Sequence, residues 1–179
     1  VQISLVELSI LRWGSEPQKK TFLPRLARAE IIGCFGLTEP GAGSDPAGLR
    51  TTAQRMNDRW VLNGSKTFVT NAPVADLAVV FATVDPTKGM WGVTAFVVEK
   101  GTPGFDPGRR LALLAPHPIG EPVFSDCRIP VENRIGHEND GFKVAMTTLD
   151  FFRTTVGACA VGLAQRALDE SLAFAKKRQ

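Results

Sequence analysis

Between Gly36 and Gly48 the chain reads GLTEPGAGSDPAG, with four glycines, two prolines, Thr38, Ser44 and the carboxylates Glu39 and Asp45. A glycine-rich turn that follows a strand can aim successive backbone N–H groups at an anion. Gly41 and Gly43 are where positive φ and close approach are open to the chain, and Ser44 adds a hydroxyl donor. Phosphate or pyrophosphate suits such a loop; a solvent-exposed turn between strands is the other reading of the same composition. It is neither the dinucleotide GxGxxG nor a P-loop GK[ST]. A second stretch, KTFVTN at Lys66–Asn71, ends in an aromatic and a threonine, Phe68 and Thr70. Thr38 and Thr70, each at a strand end, could line a flat polar heterocycle, or reflect ordinary strand propensity. Asp150 and Arg153 share a helix face at i, i+3. They form a solvated ion pair, or leave the arginine for a carboxyl, carbonyl or phosphate group. His117, between two prolines, and His137 have no partner constellation and receive no catalytic role. Cys34, Cys127 and Cys159 are far apart, form no CxxC and have no His at ligand spacing, so no metal site or disulfide framework is expected, and a reducing compartment is.

These groups need elements to hold them. VQISLVELSILR carries apolar residues at Ile3, Leu5, Val6, Leu8 and Leu11, a helical face. Gly14 breaks it, and Ser15 with Pro17 opens a second short helix to about Ala27. EIIGCFGLT then reads as a strand. RWVLNGSKTFVT reads as two strands around the hairpin pair Asn63-Gly64. LAVVFATV, WGVTAFVVE and PVFSDCRIP follow as further strands, predicting a barrel or sandwich. Asp140 is placed to cap a helix from Gly141 that could run to Gln179, about 55 Å at 1.5 Å per residue. Its small apolar middle, VGACAVGLA, suits close approach by another helix outside this chain.

Composition bounds the function. With 44% hydrophobic and 22% charged residues and a net charge of +3, the chain has the makings of a core and no electrostatic reason to bind nucleic acid or an anionic membrane. No apolar run approaches the length of a membrane span. The chain starts inside an apolar-periodic stretch and ends at FAKKRQ without a helix stop, which predicts an internal fragment of a longer polypeptide.

GLTEPGAGSDPAG closely resembles the signature of the acyl-CoA dehydrogenase family. WVLNGSKTFVTN resembles its second flavin segment. GFKVAMTTLDFFR and GLAQRALDESLAFAKKRQ resemble the long helix opening its C-terminal domain, and GSEPQKKTFLPRLARAEIIGCFGLTEP the end of its N-terminal helical domain. The resemblance covers the chain in order. It implies an α+β fold: residues 1–29 from an N-terminal helical domain, as a helical hairpin; residues 30–136 as an antiparallel, barrel-like middle β domain binding flavin and acyl-CoA; and residues 137–179 as the start of a C-terminal helical bundle.

By position, the resemblance implies that Phe35, Leu37 and Thr38 line the isoalloxazine ring of FAD. Gly43 and Ser44 lie near phosphate, with Ser44 also near the acyl-CoA. Phe68, Val69 and Thr70 cover a face and edge of the flavin. Asp150 and Arg153 are substrate-side positions. Arg178 contacts FAD, on a neighbouring subunit of a homodimer or homotetramer. The implied reaction removes an α proton with a carboxylate and passes the β hydrogen to FAD. Electrons then go to an electron-transfer flavoprotein, in a bacterial cytoplasm or a mitochondrial matrix. Two departures stand out: Phe68 replaces the usual Trp, and Phe152 occupies the place where some branches carry the catalytic Glu. Glu39 reads as a loop-fixing acceptor, so no base is assigned. An oxidase or monooxygenase on the same fold and a non-catalytic flavin-binding homologue are the alternatives.

Overall fold

The computed structural model describes residues 1–178. The first apolar stretch winds as its spacing predicts: a π-helical segment, Gln2–Glu7, runs into α1 (Leu8–Trp13), burying Leu5, Val6 and Ile10. Helix α2 (Glu16–Ala27) opens on Ser15 in a capping box. Ser15 N donates to Gln18 Oε1 at 2.8 Å, and Gln18 N donates to Ser15 Oγ at 3.4 Å. Two side-chain amides, Gln2 half-buried and Gln18 buried, then fasten this hairpin to the sheet. Gln2 Nε2 donates to the carbonyls of Leu26 and Ile31, and its Oε1 accepts from Gly33 N. Gln18 Nε2 donates to the carbonyls of Glu132 and Arg134.

Ten strands follow among the described residues: β1 (Gly33–Gly36), β2 (Thr52–Met56), β3 (Arg59–Ser65), β4 (Val69–Thr70), β5 (Leu77–Thr83), β6 (Val93–Glu99), β7 (Phe105–Asp106), β8 (Ile119–Gly120), β9 (Val123–Pro130) and β10 (Arg134–Ile135). Eight form one sheet in the order β10-β6-β5-β2-β3-β9-β7, with β1 also beside β5, while β4 and β8 make a separate ladder. The fold is mixed α+β, but the expected antiparallel barrel is corrected on two points. The sheet is open, with β10 and β7 at its ends, and β1 and β2 both run parallel to β5.

Alternate residues of β5 and β6 serve two cores. Leu77, Val79, Phe81, Ala95 and Val97 pack toward the helices with Val6, Ile10, Phe22 and Val144. Ala78, Val80, Ala82, Phe96 and Val98 pack the other way, with Trp60, Leu62, Phe124 and Ile129. Burial on both faces explains why these strands read as continuous apolar runs rather than alternations. Aromatic contacts occur in both layers, Phe35 with Phe81 at 4.9 Å and Trp60 with Phe96 at 5.2 Å between ring centroids.

Helix α3 (Gly141–Lys177) stands on β6; a Cβ at Gly141 would lie 2.6 Å from Thr94 backbone atoms. The expected Asp140 cap does not form. Asp140 is already in right-handed helical backbone and its side chain makes no capping hydrogen bond, whereas a capping residue normally keeps extended φ and ψ. The last residue of the expected helix, Gln179, lies outside the described residues. Val144, Ala145 and Thr148 are buried against the rest of the chain, and Ser9 Oγ meets Thr148 Oγ1 at 3.2 Å. From Asp150 to Arg178 every residue except Phe152 is exposed.

The expected Asn63-Gly64 hairpin turn is also corrected. Both residues lie inside β3, and the chain reverses at Asn57-Asp58, where Asn57 takes φ +56°. Asn63 and Gly64 instead serve a β-bulge against β9, where the register shifts between Leu62 and Gly64. Asn63 Nδ2 donates to Asp126 Oδ1 and Asp126 N donates to Asn63 Oδ1, holding Asp126 at φ +47°. Gly64 has φ +142°, and a Cβ there would sit 2.6 Å from Thr51 Oγ1. Gly64→Ala therefore lowers the unfolding free energy by about 1–3 kcal/mol, whereas Asn57→Gly changes it by less than about 1 kcal/mol. Chemical denaturation of both variants checks this; the reverse order would place the turn at Asn63-Gly64.

Candidate functional site

The loop from Gly36 to Gly48 is held from beneath by a buried ion pair. Lys66 is 1% exposed and Glu39 6%, and Lys66 Nζ donates to Glu39 Oε1 at 2.7 Å and to Leu37 O at 3.3 Å. Glu39 also accepts from Arg50 N at 2.6 Å and Thr51 N at 3.0 Å. Burial disfavours the charge on Glu39, but Lys66 and these N–H donors outweigh it and hold the carboxyl below the usual carboxylate range. Burial likewise pushes Lys66 down to about 8, against the opposing pull of Glu39. Both of Glu39's backbone groups are used as well, exchanging two hydrogen bonds with Ala42 around the corner Pro40-Gly41. Asp45 closes the far end, its Oδ1 accepting from Ala47 N ahead of the short 3-10 turn Pro46–Gly48.

Neither Gly41 nor Gly43 uses the positive φ that glycine permits. Their value is space: a Cβ at either would meet no atom within 4 Å. The chain's own packing does not require glycine there.

The second segment is laid against residues 118–123. Lys66 N donates to Pro122 O, Thr70 pairs with Ile119 and Val69 with Gly120, and Asn71 N donates to Pro118 O. Thr67 N donates to Thr38 O at 2.9 Å, which joins the two segments. Phe68 takes φ +54° and is 66% exposed. This conformation costs a non-glycine residue of order 1–3 kcal/mol, and here it breaks the strand and puts the ring outside the packed layer.

The two segments meet α3 across one cleft of about 610 Å³. Phe35, Leu37, Thr38, Gly43, Ser44, Phe68, Thr70 and Arg153 all lie on its wall. Three of the expected site residues do not. Val69 is buried in its ladder, and Asp150 is exposed on α3 outside the lining. Arg178 follows the last turn of α3, about 37 Å along the helix from Arg153 at 1.5 Å per residue. Asp150 and Arg153 form no ion pair, since Arg153 turns to the cleft. The carboxylate on the wall among the described residues is Asp45, already engaged with Ala47. A second groove, of about 560 Å³ between Trp13 and His137, has its buried amide, Gln18, already satisfied.

The family profile described as the acyl-CoA dehydrogenase middle domain matches residues 34–127, and that described as the acyl-CoA dehydrogenase C-terminal domain matches residues 139–179. The chain belongs to the acyl-CoA dehydrogenase family. It is 44% identical over 179 residues to a short-chain specific acyl-CoA dehydrogenase of Megasphaera elsdenii, covering 98% of this chain and 47% of that protein. The solved butyryl-CoA dehydrogenase of the same organism superimposes with a TM-score of 0.94 at 43% identity, covering 99% of this chain and 47% of the other. A structure of PigA with FAD and proline superimposes with a TM-score of 0.96 at 36% identity, covering 99% of this chain and 47% of that chain. The chain thus spans about half the length of the relatives it matches. No described helix is long and apolar enough to cross a membrane.

Within this member of the acyl-CoA dehydrogenase family, sequence reasoning missed three contributors. Lys66 carried no signal of its burial beyond a position next to a strand end. Residues 117–122, HPIGEP, which are the backbone partner of KTFVTN, carry no turn or strand signal that marks them as such. The apolar wall from α3, Phe142, Met146 and Leu149, was legible as an i, i+4, i+7 stripe.

Glu39→Gln leaves Lys66 buried without a counter-charge and costs about 3–5 kcal/mol at neutral pH, and adding Lys66→Met restores most of the loss. The stability that Glu39 contributes is complete above its ordinary pKa of 4.5 and disappears as pH falls through the lower folded value. Wild type and Glu39→Gln therefore converge in acid. Urea denaturation between pH 7 and pH 3 measures both effects; a loss as small as a surface pair's, under about 1 kcal/mol, would refute the assignment.

Proposed function

We propose that the protein carrying this chain is a flavin-dependent acyl-CoA dehydrogenase, and that the cleft between the Gly36–Gly48 loop, the Lys66–Asn71 segment and α3 is its flavin and substrate site. One observation carries the reading: Thr38, Thr70 and the aromatic ring of Phe68 line one cleft together with Gly43 and Ser44 of a loop whose glycines the protein's own packing does not need. The solved relative that holds FAD has the same fold over this length.

FAD, when bound, supplies the two-electron redox chemistry that takes up the substrate's β hydrogen. The chain's part is position and electrostatics. Thr38 and Thr70 offer hydroxyl donors, and Phe35 and Leu37 their backbone groups, to the ring edge that gains charge, while Val69, paired with Gly120, holds Phe68 and Thr70 in place. Phe68 covers one face. Gly43 and Ser44 take the phosphates, and Ser44 with Arg153 and Asp150 takes the acyl-CoA. Arg178, too distant to share this cleft, serves a neighbouring subunit of a homodimer or homotetramer, where the exposed apolar flank of α3 finds its partner. Residues 1–29, 30–136 and 137–179 belong to successive helical, β and helical domains. No base is assigned: Asp45 and Glu39 are committed to N–H donors and to Lys66. The electron acceptor is an electron-transfer flavoprotein.

The whole protein is expected to purify with, or take up, FAD, and butyryl-CoA is expected to bleach its flavin band under anaerobic conditions. Thr38→Val and Thr70→Val each slow that bleaching by about 10²-fold, the order seen when one preorganised donor is removed. An FAD-loaded protein that no acyl-CoA bleaches would refute the proposal. Rapid oxygen consumption with butyryl-CoA would replace the flavoprotein acceptor with dioxygen.

A further inference from the structure

Thr70 makes a contact that the flavin reading leaves unused. Its Oγ1 lies 3.0 Å from Nε2 of His117. Thr70 is on the wall of the cleft, whereas His117 lies behind it, in a separate hollow of about 260 Å³ shared with Arg110, Leu111 and Leu113. The position of the imidazole is set by the backbone. Pro116 and Pro118 flank it, restricting its neighbours and holding His117 itself in extended conformation. His117 N donates to Ala115 O at 2.8 Å, Asn71 N donates to Pro118 O at 2.6 Å, and Ile119 pairs with Thr70. The residues on either side of His117 are thus tied down, and its ring stands against the Thr70 hydroxyl.

A threonine hydroxyl has one hydrogen and two lone pairs. If Thr70 donated to Nε2, only lone pairs would face the cleft. If Nε2–H donates to Oγ1, the hydroxyl hydrogen is free to point into the cleft. A ring edge that gains negative charge on reduction is stabilised by the second arrangement and not by the first. The geometry points to His117 as the positioning residue of this site: its Nε2–H donates to Thr70 Oγ1 and turns the hydroxyl hydrogen toward the flavin. This rests on the cleft being the flavin site. His117 touches neither substrate nor cofactor, and its effect is carried by one proton on Thr70.

The test uses the whole protein loaded with FAD. His117→Leu is expected to bind FAD within threefold of wild type and to lower the equilibrium constant for flavin reduction about tenfold. That is a midpoint potential about 30 mV more negative for a two-electron couple. His117→Gln, which keeps an N–H donor, is expected to stay within threefold of wild type. Thr70→Ala is expected to match His117→Leu, and the double variant to fall no further, because both changes remove one interaction. Nitrogen-15 spectra of the histidine rings, assigned by the signal lost in His117→Gln, are expected to show a protonated Nε2. A wild-type potential in FAD-loaded His117→Leu, losses that multiply in the double variant, or an unprotonated Nε2 would each overturn the inference and leave the flavin reading standing. Failure of the wild type to bind FAD would overturn both.

Discussion

The constraint on which the site depends is the ion pair between Lys66 and Glu39. Lys66 is buried and Glu39 nearly so, so each charge is tolerable only while the other is in place. The pair joins the end of β3 to the loop after β1, two stretches separated by a whole hairpin in sequence. Lys66 reaches Leu37 O and Glu39 together, and Glu39 in turn grips the N–H groups of Arg50 and Thr51. Four chain positions are thereby fixed around one buried charge. Thr38, Gly43 and Ser44 on one side and Phe68 and Thr70 on the other keep a common orientation because the loop cannot shift without leaving Lys66 unpaired.

Around that anchor the chain spends stability on the site. Phe68 holds a left-handed backbone and an exposed ring, the reverse of what packing alone selects. Next to it, Asn71 is also left-handed at φ +70°, and its side chain donates to Gly33 O, carrying the strain back to the start of β1. The helical hairpin contributes through Gln2, which fixes the entry of that same strand. Helix α3 completes the wall with Phe142, Met146 and Leu149 before leaving the body of the fold. Three segments distant in sequence converge because each is tied at its base by a buried or half-buried polar contact.

Much of this was legible in the sequence where a local rule has one outcome. Ser15 with Gln18 and Pro17 specified a capped helix, and the doubly buried runs at Leu77 and Val93 specified central strands. The GLTEPGAGSDPAG and KTFVTN segments stood out by composition, and Thr38, Gly43, Ser44, Phe68 and Thr70 from them line one cleft. What failed were features decided by distant partners. Asn63-Gly64 has the composition of a turn, but the side chain of Asp126 recruits Asn63 into a bulge, so the reversal falls at Asn57-Asp58. The openness of the sheet and its parallel β1–β5 and β2–β5 pairings are settled by contacts between strands distant in sequence, which alternation patterns do not encode. Lys66 looked like any lysine near a strand end, because its burial exists only once Glu39 has folded over it. Asp140 looked like a helix cap by its place before Gly141, yet its backbone is already helical and its side chain makes no capping hydrogen bond.

The claim at the centre of this account is that one cleft, anchored by Lys66 and Glu39, holds the flavin between Thr38 and Thr70 at one end and Gly43 and Ser44 at the other. A crystal structure of the whole protein grown with FAD tests it most directly. The account predicts the isoalloxazine edge within hydrogen-bonding distance of the Thr38 and Thr70 hydroxyls, with the phosphates against the backbone of Gly43 and Ser44 and the Lys66–Glu39 pair intact beneath them. A flavin bound elsewhere, or the loop swung away with Lys66 no longer on Glu39, would contradict it.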